Sequence, residues 1–366
     1  MVMGFIYKNI LRPVFFLFDP EWVHDFITSI GEFLGKYSLS KFLVSRLFSY
    51  KNPVLEQELW GIKFKNPVGL AAGFDKDARL YSVMGSVGFG FSEIGTVTLD
   101  SYKGNPKPRL YRLLKSKGLV VYYGLKNIGA KAIIKSLQKK KKSIPQVISI
   151  GRTNSQKTAD FESGINNYYN CLKEFTDTGV GDAFEINISC PNLFGGVSFA
   201  DETSLEKLLQ KIYTLNVKKP IFLKIPINPS WPELEKLVKV ALRFGVQALV
   251  IGNLNKDKFH SSIKDAIPEN IKGSVSGKPT RDLSNNLISK TYKNYGDKIK
   301  IIGVGGIFSA EDAYEKICRG ASMVELITGM IYEGPQLIGD INCKLTHLLK
   351  RDGYKNIKEA VGTFNI

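Results

Sequence analysis

Apolar positions along the chain follow two rhythms. Over residues 20–48 they recur every three or four positions: Val23, Phe26, Ile27, Ile30, Phe33 and Leu34, then Phe42, Leu43, Leu47 and Phe48. That spacing lines one face of an α-helix. Asp19-Pro20-Glu21 opens the first stretch with a capping residue and a proline at the first helical position. The pattern predicts two short amphipathic helices, with Lys36, Lys41 and Arg46 beside the apolar stripe. That stripe either packs on the rest of the chain or stays partly open to lipid.

Beyond residue 60 the rhythm changes. Short apolar runs recur at 67–72, 91–97, 146–151, 184–189, 221–225, 248–252, 299–304 and 323–328. Helical patterns separate most of them, as at 232–244 and 309–319. The latter opens with Ser309-Ala310-Glu311-Asp312, which resembles a capping box. Strands alternating with helices, each followed by polar residues, predict a closed (β/α)8 TIM barrel over 51–366, carrying a small two-helix extension at 1–50. An open doubly wound sheet is the alternative. It calls for a clean G-x-G-x-x-G after its first strand, and none occurs.

Composition narrows the class. With 366 residues, 43% hydrophobic and 23% charged, the chain is a folded, core-forming protein. Its net charge of +17 suits an anionic membrane face or a polyanion, or reflects a lysine-rich proteome. The four lysines at 139–142 read as a solvated helix end. No run of about 20 apolar residues exists to span a bilayer. The apolar run at 14–18 is too short for a signal peptide. Cys171, Cys190, Cys318 and Cys343 form no CxxC pair, and the only histidines are His24, His260 and His347. No metal site is predicted, and the thiols read as reduced and cytosolic.

In such a barrel the chemistry sits at the C-terminal strand ends. Strand seven ends in Gly303-Val304-Gly305-Gly306 and strand eight in Thr328-Gly329, where this fold usually cradles phosphate. A phosphorylated cofactor or substrate follows. Lys224 ends strand five between apolar neighbours and needs an anion or polar acceptors. The N1–C2 edge of a reduced flavin is such an anion. Strand one ends in Ala71-Ala72-Gly73, small enough for a flat ring to lie against, followed by Lys76, which can reach a substrate anion. Strand four ends in Asn187-Ile188-Ser189-Cys190-Pro191-Asn192, two asparagines bracketing a cysteine and a proline.

These stretches resemble the dihydroorotate dehydrogenases, in their membrane-associated, quinone-dependent class. The resemblance spans nearly the whole chain. It is carried also by Leu17-Phe18-Asp19-Pro20-Glu21 with His24, Lys65-Asn66-Pro67-Val68-Gly69-Leu70 and Glu93-Ile94-Gly95-Thr96-Val97-Thr98. Further matches are Gly104-Asn105-Pro106-Lys107-Pro108-Arg109 and Ser276-Gly277-Lys278-Pro279. It implies FMN as cofactor, held by Ala72, Gly73, Thr96, Asn187, Lys224, Gly277, Gly305, Gly306, Thr328 and Gly329. It implies dihydroorotate and orotate as ligands of Lys76, Asn187, Asn192 and Asn253, with Cys190 as the base and Pro191 shaping its turn. A thiol ionises nearer neutrality than a hydroxyl, which suits it to that task. A membrane quinone would accept the electrons through a tunnel marked by His24 and Arg112. The extension would then sit on the cytoplasmic face of the cell membrane, peripherally, with no stable nucleic-acid partner.

The sequence also departs from the family. Quinone-dependent members typically carry serine where Cys190 stands. Val121 takes the place of a substrate-gripping asparagine in the segment after Gly118-Leu119. Ser149, Gly252 and Ile327 replace an asparagine, a threonine and a tyrosine. Two alternatives therefore stay open: a flavin oxidoreductase for another dihydropyrimidine, including one within RNA, and a non-catalytic FMN barrel.

Overall fold

The computed structural model describes residues 2–190, 192 and 198–365. Pro191, assigned above to the turn presenting Cys190, lies outside the described residues. Eight parallel strands close into a barrel: β1 (Val68–Leu70), β2 (Phe91–Val97), β3 (Gln146–Ile150), β4 (Ala183–Asn187), β5 (Ile221–Ile225), β6 (Ala248–Ile251), β7 (Lys300–Val304) and β8 (Met323–Leu326). Sequence neighbours are barrel neighbours, and β8 closes on β1 with Val324 opposite Val68. The helix Ala310–Cys318 starts as its sequence predicts, with Ser309 Oγ accepting from the Asp312 N–H at 3.2 Å.

Strand alternation sorts the barrel interior into layers, because every second side chain points inward. Phe91, Val147, Ala183, Phe222, Val250, Ile302 and Met323 form an apolar bottom. The hairpin Gln57–Leu59 with Ile62–Phe64 plugs that end, its Trp60 ring 4.6 Å from Phe222. Two residues further along their strands stand Glu93, Ser149, Glu185, Lys224 and Glu325, all buried. Further along the strands, Asn187, Gly252, Val304 and Ile327 reach the mouth.

The extension holds more helix than its periodicity predicts. α1 covers residues 2–16 with a π-turn at Tyr7–Leu11, ahead of α2 (Pro20–Lys36) and α3 (Ser38–Phe48). α1 is anchored from the barrel side: Tyr7 donates to the Ile331 carbonyl at 2.7 Å and Arg12 to that of Tyr332 at 3.0 Å. Asp19 caps α2 by accepting from the Trp22 N–H at 2.9 Å. These helices turn much of their apolar surface outward, with Phe5, Leu17, Trp22, Phe33, Leu39 and Phe42 each at least half exposed.

A second difference concerns residues 118–121, which the apolar pattern does not pick out as a strand. Gly118–Val121 is the central strand of an antiparallel sheet between Leu110–Leu113 and Ser274–Gly277. Its partner at 274–277 is distant in sequence, and strands of four residues are too short for alternation to declare them. The lysine run behaves as a helix end, although Lys140 folds inward to the Ala78 carbonyl and Lys142 pairs with Asp182.

Candidate active site

The strand ends and the small sheet enclose one cleft of about 1270 Å³, its open mouth included. Ala72, Gly73, Thr96, Asn187, Lys224, Gly277, Gly305, Gly306, Thr328 and Gly329 all line it, as do Lys76, Cys190, Asn192, Asn253 and His24. The barrel brings most of them together because they follow the C-terminal ends of parallel strands on one side, while Gly277 comes from the small antiparallel sheet and His24 from α2. Arg112 is the exception. Its guanidinium donates to the carbonyls of Phe15, Phe16 and Phe18 and lies 4.5 Å from the Phe16 ring centroid. It closes the end of α1 rather than lining the cleft, since the terminal carbonyls of a helix need donors.

The polar side chains form a connected net. Asn187 Nδ2 donates to Thr96 Oγ1 at 2.8 Å, while its Oδ1 accepts from Ser189 N and Oγ. Asn253 donates to Ser189 Oγ. Asn192 Nδ2 donates to the Val121 carbonyl at 3.0 Å, and the Asn192 carbonyl accepts from Asn105 at 3.2 Å. Val121 thus supplies a backbone acceptor where a side-chain amide was anticipated. Tyr123 and Lys126 line the cleft beside it and Tyr122 does not.

Lys76 lies over the Tyr123 ring at 4.1 Å, and its Nζ is 3.4 Å from His24 Nε2. Burial, reinforced by Lys126, pulls its ammonium down to about 8. His24 is lowered by burial and by Lys76, and its Nε2 donates to the Phe74 carbonyl at 3.0 Å. Burial pushes the Cys190 thiol up to about 11, against the weaker pull of the Asn192 backbone, Arg152 and Lys256. The advantage expected of a thiol is therefore partly cancelled by its surroundings.

The glycine turns fit a phosphate. Gly305 has φ +106° and Gly306 φ +72°, and a Cβ on Gly306 would come 2.4 Å from Arg281 Cβ. Only a backbone without side chains approaches the helix start at Arg281 this closely, and both glycines line the cleft. Ser276 Oγ and Thr328 Oγ1, 3.0 Å apart, add hydroxyls beside them.

The motif reading passed over the layer beneath. Glu93, Glu185 and Glu325 gather around Lys224, whose Nζ is 3.4 Å from Glu185 and 3.6 Å from Glu93. A signal was present: each acid sits inside an apolar strand run, in FSEIG, AFEIN and MVELI. Such positions face either the barrel interior or the surrounding helices, and both are costly for an unpartnered charge.

Comparison with known proteins agrees with this geometry. The family model described as dihydroorotate dehydrogenase matches residues 54–349. A protein of Trichodesmium erythraeum named dihydroorotate dehydrogenase (quinone) is 35% identical, covering 98% of this chain and 99% of its own. One of the same name from Christiangramia forsetii is 37% identical, over 93% and 98%. Among solved structures, a DHODH of Eimeria tenella in complex with ferulenol superposes with a TM-score of 0.83 at 26% identity, covering 94% of this chain and 95% of its own.

Proposed function

The chain belongs to the dihydroorotate dehydrogenase family, and we propose that it oxidises dihydroorotate to orotate on FMN and hands the electrons to a membrane quinone. The observation that carries this reading is convergence. Every residue nominated for substrate and cofactor lines one cleft, and that cleft also reaches His24, Leu110 and Ile331 beneath the amphipathic helices.

Cys190 removes the ring proton beside the carbonyl. With its thiol raised to about 11, the base form is scarce at neutral pH, so the rate of this step rises with pH. Lys76, held over Tyr123, faces the substrate carboxylate. Asn187, Asn192 and Asn253 bind the pyrimidine edges through their amide donors and acceptors. Gly305, Gly306, Gly277 and Gly329 hold the FMN phosphate, and the bound flavin supplies the hydride acceptor. The unit over residues 1–50 rests on the membrane surface through its apolar side chains, and residues 51–366 form the catalytic barrel. No helix among the described residues is long and apolar enough to cross a membrane.

Dihydroorotate-dependent reduction of a short-chain ubiquinone by FMN-loaded protein tests the proposal. A loaded protein whose flavin dihydroorotate fails to bleach under anaerobic conditions would overturn it. Val121 favours a second reading, a dihydropyrimidine lacking the substituent that the missing asparagine would grip. Offering dihydrouracil in the same bleaching assay separates the two.

A further inference from the structure

The layer under the cleft holds three carboxyl groups and one ammonium. Glu93, Glu185 and Glu325 are sealed from solvent, and Lys224 is nearly so. β1, β6 and β7 place Gly69, Val250 and Ile302 in the apolar layer beneath, and among the described residues the charges acting on the cluster are its own four. Glu93 accepts a backbone N–H, from Ala72 at 3.1 Å, and pairs with Lys224. Glu185 accepts from Ser149 Oγ at 2.5 Å through one oxygen, while the other lies 3.4 Å from Lys224 Nζ and accepts no hydrogen bond among the described residues, so two carboxyls compete for the one ammonium. Neither oxygen of Glu325 meets a donor among the described residues, and the group facing it is the carboxyl of Glu93. Two carboxyls hydrogen-bond only when one carries a proton, and a buried carboxylate with no donor is too costly to remain ionised.

We propose that Glu93, Glu185, Glu325 and Lys224 form an electrically neutral, proton-bearing floor under the flavin, with Lys224 balanced by Glu93 while Glu185 and Glu325 hold protons. Lys224 then brings no net positive charge to the cofactor, and two-electron reduction takes up two protons in all. The hydride carries both electrons and one hydrogen, and the second hydrogen comes from solvent as a proton. Burial and the Glu93 carboxyl raise Glu185 to about 8 and hold Glu325 well above the usual carboxylate range. Burial alone would lower Lys224, but the carboxyls around it outweigh that and hold it above its ordinary value. Asp75, raised by burial to about 6, is mostly ionised at pH 7 and stays outside the cluster's signature.

This inference rests on the flavin reading for its consequence, not for its charge state, and the experiment separates the two. Infrared spectra in D2O at pH 7, with or without flavin, should show protonated-carboxyl C=O stretches. Glu325→Gln and Glu185→Gln should each remove one of them. In the loaded protein, electrochemical reduction, which brings no hydrogen with its electrons, should consume two protons per two electrons. The midpoint potential of E325Q at pH 7 should match wild type, because a neutral group replaces a neutral group. Absence of the carboxyl stretches, uptake of one proton, or a raised potential in E325Q would each overturn the proposal. A protein that shows the stretches and binds no flavin would refute the flavin reading and leave the neutral floor standing.

Discussion

The helices over residues 2–48 and the interior of the barrel reverse the usual placement of polarity in opposite senses. The helices carry phenylalanines and leucines on their outer surface, while the barrel encloses three glutamates and a lysine. Each arrangement is unfavourable in water alone. Exposed apolar area of this extent calls for an apolar partner, and buried charge calls for counter-charge or protons. The contrast teaches that both regions are shaped by something other than water. For the helices the proposed partner is lipid with its quinone. For the barrel it is a cofactor laid on the layer of carboxyls and ammonium.

The sharpest test removes the reacting thiol between the two regions. Cys190→Ala should lower turnover about 10²–10⁴-fold, the range for loss of a positioned base. Bound flavin and the melting temperature should stay as in wild type. The wild-type log kcat at saturating substrate should climb with pH toward about 11, since the base is the deprotonated form, whereas log(kcat/KM) should bend near 8, where Lys76 loses the charge that meets the substrate carboxylate. A plateau near neutrality would assign the limb to another group.

Lys224→Met breaks the interior side of the contrast. It strands a carboxylate without its counter-charge and should cost about 3–5 kcal/mol in denaturant unfolding. Glu185→Gln acts in the opposite sense. The Glu185 carboxyl moves from its ordinary 4.5 to about 8 in the fold, so over that window the folded chain binds more protons than the unfolded one. Wild-type stability therefore falls as pH rises through it. The variant should gain on wild type by on the order of a few kcal/mol at pH 9 and by nothing at pH 4. Urea unfolding at the two pH values decides it.

On the exterior side, Phe33→Ser with Phe42→Ser should weaken partition onto anionic vesicles, by about 1.5–3 kcal/mol for each side chain that lipid buries. Barrel stability should not change, because these rings already face outward. The smallest effect belongs to Arg112→Gln. Losing a guanidinium that serves the carbonyls of Phe15, Phe16 and Phe18 at and just past the end of α1 should raise amide exchange over residues 2–16 while leaving anaerobic flavin bleaching intact. A selective loss of quinone affinity with normal exchange would return Arg112 to the tunnel.

The barrel strands were legible because each is a short apolar run with β-branched residues, and the cleft because glycines and polar residues punctuate those runs at their ends. α1 was not legible, since its apolar run is brief and a π-turn breaks its period. The strand at 118–121 was hidden because its partners lie outside its own neighbourhood in sequence, so no local pattern records them. The contacts of Arg112 were not legible for a related reason. A motif position names a residue, whereas its hydrogen bonds depend on which carbonyls end up within reach.

By itself the sequence determined the number and order of the strands, the amphipathic start of the chain and the identity of the groups at the mouth. These follow from periods of 2 and 3.6 and from residue chemistry, which are local properties. Only the tertiary structure decided that Glu93, Glu185 and Glu325 meet at one lysine, that Val121 offers Asn192 a carbonyl, and that burial raises the Cys190 thiol. Proximity across a closed barrel and exclusion of water are set by the packing of the whole chain, and no single segment encodes either.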